Sequence, residues 1–108
     1  MDLGLDGKKA FVAGSSSGIG RAVAAGLLAE GAHVVINGRN AEKLEKTRRE
    51  LEAAHGPRVH AVAADVAHGD AAGAAVREAV TRLGGLDVLF TKSGGPPAGL
   101  FETLEETA

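Results

Sequence analysis

The residues best suited to chemistry are the glycines and serines of Ala13-Gly14-Ser15-Ser16-Ser17-Gly18-Ile19-Gly20. A turn of this kind between a strand and a helix cradles phosphate. Gly14 lets the chain turn sharply, Gly18 lets the backbone approach a pyrophosphate, and Gly20 permits close packing of helix on strand. The helix then aims its free N–H groups and positive dipole end at the phosphates. The spacing is GxxxGxG. A Walker A turn is excluded, because it needs glycine at Ile19 and a Lys-Ser/Thr pair after it. Gly14, Ser16, Ser17, Gly18, Ile19 and Gly20 are thus candidate cofactor-binding residues. The plainer reading is a tight turn with no ligand.

A second candidate lies at Asn37-Gly38-Arg39. Dinucleotide sites that take NAD carry an acid near the end of the second strand, about 20 residues after the turn, for the ribose 2′-hydroxyl. No acid stands here. Arg39 can instead grip a 2′-phosphate with two hydrogen bonds, so NADP(H) is expected over NAD(H). The alternative is a solvated loop arginine.

Other chemistries find little support. His33, His55, His60 and His68 lack metal-ligand spacing and no cysteine accompanies them, so no metal site is expected. Asp70, Glu102, Glu105 and Glu106 read as helix-start charges favoured by the dipole. The sequence holds no tyrosine.

Elements that would position the turn follow from apolar patterning. Strands are expected at 8–13, 33–37, 58–64 and 87–91, and helices at about 19–30, 41–54 and 70–83. Ile19, Val23, Gly26 and Leu27 recur at helical spacing in the first helix. Asn40 is placed to cap the second, whose buried side is marked by Leu44 and Leu51. Val76, Val80 and Leu83 mark the third. Residues 93–99 read as loop, and 101–108 as the opening of another helix. The order βαβαβαβ with continuous apolar strands implies a parallel sheet covered on both faces. This is an α/β, Rossmann-type doubly wound sheet of about four strands, with expected order 3-2-1-4.

The totals fit one domain of 108 residues with 44% hydrophobic and 24% charged residues. A net charge of −2 gives no reason to expect a nucleic-acid or anionic-membrane partner. No apolar run is long enough to span a bilayer, and Met1-Asp2-Leu3 does not begin a signal peptide. The lack of cysteine suits the cytoplasm, the expected location.

Through nearly its whole length the chain resembles the short-chain dehydrogenase/reductase family, whose turn reads TGxxxGIG. Asp65-Val66 after the third strand matches the pair that holds adenine. Thr91-Lys92-Ser93-Gly94 aligns with the family's NNAG, and Gly95 to Phe101 is similar to the loop that follows it in 3-oxoacyl-carrier-protein reductase-like members. The resemblance adds Asp65, Val66, Ser93 and Gly94 to the cofactor-binding candidates and puts Gly38 at the family's Asp position. It implies NADP-dependent carbonyl reduction or alcohol oxidation. The family's Tyr-x-x-x-Lys pair has no counterpart in this sequence, so the chain is expected to be the N-terminal half, with no catalytic residue of its own. Its partners are then the dinucleotide and either a second copy or a completing partner. The alternative is a non-catalytic nucleotide-binding or self-assembling module. Two residues depart from the pattern: Ala13 replaces a threonine that ties the turn to NNAG, and Lys92 replaces an asparagine.

Overall fold

The computed structural model describes residues 4–66 and 69–91 and the backbone of 102–103. In chain order the elements are β1 (Lys9–Val12), α1 (Gly18–Ala29), β2 (His33–Gly38), α2 (Ala41–His55), β3 (Val59–Ala63), α3 (Gly69–Leu83), β4 (Val88–Phe90) and β5 (Glu102–Thr103). The sheet order is β3-β2-β1-β4-β5. The first four strands are mutually parallel in the expected order 3-2-1-4.

One expectation is overturned. Residues 102–103 do not open a helix. They pair antiparallel with β4, Val88 opposite Thr103 and Leu89 opposite Glu102. An edge strand offers unpaired N–H and C=O groups, and β5 satisfies part of that edge. Glu102 is therefore a strand residue and not a helix-start charge. Glu105, Glu106 and His68 lie outside the described residues.

The two faces of the sheet are packed differently. On one, α1 and α2 bring Ala24, Leu27, Leu28, Leu44 and Leu51 onto Ala10, Val12, Val34, Ile36, Val59 and Phe90. On the other, α3 brings Ala75 and Ala79 onto Phe11, Ala13, Val35 and Val62. Strand residues alternate between the faces, as the pleat requires, while both faces stay apolar.

Two helices turn slightly differently from the expected faces. The buried residues of α1 are Gly20, Ala24, Leu27 and Leu28, whereas Ile19 is 58% exposed. Small residues meet the sheet first because the helix starts hard against the glycine turn. In α3 the buried line is Ala75 and Ala79, and Val76, Val80 and Leu83 are only partly buried beside it. Alanine lets the helix axis approach the strands, so the larger side chains straddle the contact line. At α2 the Asn40 side chain caps the helix as expected, accepting the Lys43 N–H at 3.0 Å.

Candidate functional site

The glycine turn occupies the carboxyl end of β1, and its conformation explains its composition. Gly14 and Gly18 have φ of 60° and 64°, a region that side-chain-bearing residues seldom adopt. A Cβ on either would meet nothing within 4 Å, so the space above the turn is open. Gly20 is the reverse case. Its Cβ would run into the Gly14 carbonyl and crowd the Ser15 backbone, so only glycine lets α1 begin this close to the turn.

The start of α1 is left ready for a ligand. Its first N–H groups have no partners within the helix, and the N-cap residue Ser17 makes no side-chain capping bond. No acidic side chain occupies the first turn. Gly14, Ser17, Gly18 and Ile19 are exposed, with Ser16 half-buried between them. The turn presents backbone donors and one apolar side chain to solvent. The backbone donors suit a phosphate.

Beneath the exposed rim is a buried clamp that sequence reasoning missed. Ser15 and Asn37 are both buried. The Asn37 Oδ1 accepts the Gly14 N–H at 3.2 Å, and its Nδ2 donates to the carbonyls of Val62 at 3.0 Å and Ala64 at 3.2 Å. The Asn37 N–H donates to Ser15 Oγ at 2.8 Å, and the Ser15 N–H donates to the Asn37 carbonyl at 2.7 Å. The Ser15 hydroxyl donates to the Val12 carbonyl at 2.6 Å. From the other side Thr47 of α2, also buried, donates its hydroxyl to the Ser16 carbonyl at 2.9 Å. The available signal was a polar residue closing the apolar run His33-Val34-Val35-Ile36-Asn37, since buried amides are kept where they are hydrogen-bonded.

The remaining candidates gather along the same edge of the sheet. Gly38 closes β2, and a Cβ there would come within 3.1 Å of Ser16 Oγ and 3.2 Å of Ser16 Cβ. Arg39 follows it and is exposed. Asp65 and Val66 leave β3, half-buried, just after Ala64 donates its N–H to the Gly38 carbonyl at 3.0 Å. The structure therefore brings Gly14, Ser16, Ser17, Gly18, Ile19, Gly20, Arg39, Asp65 and Val66 to the carboxyl ends of β1, β2 and β3. Open parallel sheets bind ligands at that edge. Ser93 and Gly94 lie outside the described residues.

Ala13 reaches β4 through its backbone, with its N–H donating to the Phe90 carbonyl at 2.9 Å. Beside it an apolar groove of about 500 Å³ runs between α3 and the sheet, lined by Phe11, Ala13, Val66, Val76, Leu89 and Thr91 among others. Among the described residues no three His, Asp or Glu side chains are grouped to hold a metal ion. No helix among them is long and apolar enough to cross a membrane.

The family model for short chain dehydrogenases matches residues 8–108. The chain belongs to that family. It is 43% identical over 94 residues to an uncharacterized oxidoreductase, YvrD, of Bacillus subtilis (strain 168), covering 87% of this chain and 35% of that protein. It is 39% identical over 88 residues to glucose 1-dehydrogenase of Gluconobacter oxydans, covering 82% of this chain and 33% of that protein. Among solved structures, L-sorbose reductase from Gluconobacter frateurii, complexed with NADPH and L-sorbose, superposes with a TM-score of 0.81 at 41% identity. That match covers 100% of this chain and 40% of the reductase. A short-chain dehydrogenase/reductase from Burkholderia phymatum in complex with NAD gives a TM-score of 0.74 at 34% identity, covering 80% of this chain and 30% of that one. The chain thus spans about a third of the length of these two curated relatives.

Proposed function

We propose that this chain binds the adenosine and pyrophosphate portion of NADP(H) for a reductase that interconverts a carbonyl and an alcohol. The observation carrying the reading is the end of β2. Gly38 is packed under Ser16 and Arg39 is exposed, so the place of the acid that selects NAD is empty and a cation stands beside it. Gly14, Ser16, Ser17, Gly18, Ile19 and Gly20 would take the pyrophosphate. Arg39 would take the 2′-phosphate and Asp65 and Val66 the adenine, with Ser93 and Gly94 as further cofactor-binding candidates. The NADPH-bound sorbose reductase supports this choice, and the NAD-bound relative makes it a choice worth testing. The cofactor supplies hydride when bound; these residues hold and orient it.

Calorimetric titration with NADPH and NADH tests the reading. NADPH is expected to bind about tenfold tighter or more, the scale of one charge-assisted contact. Equal affinities, or tighter NADH, would refute it.

A non-catalytic role for these 108 residues alone is the second reading. They contain no tyrosine to act as the proton donor that the family uses. The 108-residue polypeptide is then expected to bind NADPH without reducing any carbonyl above background. Its open apolar groove beside α3 further favours pairing with a second copy or a completing partner, and a monodisperse monomer in light scattering would count against that.

A further inference from the structure

We infer that Asn37 is a positioning residue that sets the spacing between the phosphate turn and the adenine end of the site. The inference rests on the dinucleotide reading above. Strands β1 and β3 share no ladder, since β2 lies between them. Nothing in the sheet's own pairing therefore ties the turn after β1 directly to the exit of β3. The Asn37 side chain crosses that gap. It holds the turn through the Gly14 N–H and the exit of β3 through the Val62 and Ala64 carbonyls, one residue before Asp65.

The amide is suited to this by its inventory. It offers an acceptor and two donors at one end of a short, two-torsion side chain, and all three are used. Aspartate would present acceptors only, against two carbonyls. Leucine, of similar shape, would remove all three bonds, the buried one to the Val62 carbonyl among them. Ser15 completes the clamp from the backbone side. It exchanges two bonds with Asn37, N–H to carbonyl and N–H to Oγ, and anchors to Val12. The two ends of the ligand site therefore move as one piece through a side chain that no ligand touches.

The test compares a probe that spans both ends with a probe that occupies one. In the full chain, Asn37→Ala is expected to weaken NADPH binding about tenfold while weakening adenosine 2′-monophosphate less than about threefold. A purely structural role lowers both affinities by the same factor. Equal losses in the folded variant, or no loss, would overturn the inference. Ser15→Ala keeps Asn37 and removes the acceptor of its N–H; it should show the same imbalance at about a third of the size, and decides the matter if Asn37→Ala does not fold. Amide exchange in the unliganded wild type adds a check free of any variant. The Gly14 N–H should be protected while the exposed Gly18 N–H exchanges fast, and an unprotected Gly14 sinks the clamp. A wild type that binds neither NADPH nor NADH, with Gly14 still protected, would remove the cofactor reading itself.

Discussion

The two faces of this sheet are built to different standards. The α1/α2 face is sealed by two helices whose leucines reach the strands, while the α3 face rests on alanines and, among the described residues, carries a groove of about 500 Å³. The glycine turn is held from both sides: α1 grows out of it and Thr47 of α2 grips it on the sealed side, while Asn37, two residues after Val35 and so directed to the α3 side, holds Gly14. A parallel sheet needs both faces covered. The contrast therefore lies in packing: leucines close one face, and alanines bring α3 close to the other beside the groove.

The largest test of that contrast is a pair of truncations. Leu28→Ala, at a fully buried site on the sealed face, should cost about 3 kcal/mol, while Val76→Ala in the groove should cost about 1 kcal/mol or less, because its site is already part solvent. Denaturant melts of both variants measure the gap; equal losses would erase the distinction. Next comes Gly20→Ala. Its added methyl meets backbone, which yields poorly, so about 2 kcal/mol of stability and most of the NADPH affinity should go together. Arg39→Ala should separate those two properties. The melting temperature should hold while the preference for NADPH over NADH falls about tenfold, as titration would reveal.

The smallest effects are ionic. On β3, two residues before Val62 and so directed to the α3 side, His60 is half-buried. Burial, with the positive Arg82 nearby, holds its imidazole below the ordinary value of 6.5. The unfolded chain therefore takes up a proton that the folded chain resists, and stability should decline as pH drops below about 6.5. A His60→Gln variant should show a flatter decline in melts between pH 7 and 5. On the opposite helix, the hydrogen-bonded Arg48 lowers Glu45 to about 2, with Arg49 assisting. That contribution is present above the ordinary carboxylate pKa of 4.5 and is lost as pH falls toward 2. The cluster is at the surface, so Glu45→Gln should scarcely change the melting temperature at pH 7.

Much of this was legible in sequence because it depends on local rules. The glycine spacing, the Asn40 cap and the four parallel strands follow from torsional freedom, capping and continuous apolar runs. What escaped depends on three-dimensional neighbours. Asn37 looked like the polar end of a strand because nothing local reveals that Gly14, Val62 and Ala64 converge on it. In α1, Ile19, Val23, Gly26 and Leu27 share helical spacing, whereas the tight start of the helix hands the inner position to Gly20 and leaves Ile19 exposed. Glu102–Thr103 was read as helical from its charges, but an available strand edge decided otherwise.

The packing of Gly38 under Ser16 also sets terms for redesign. On the NADP(H) reading proposed above, a conversion to NAD would first suggest an aspartate at Gly38. A Cβ there comes within 3.1 Å of Ser16 Oγ, so the edit asks the Ser16 side chain to give by a few tenths of an ångström. The exposed neighbour, Arg39, can be exchanged for an acid without that conflict. Of the two adjacent positions, the second makes no demand on the turn.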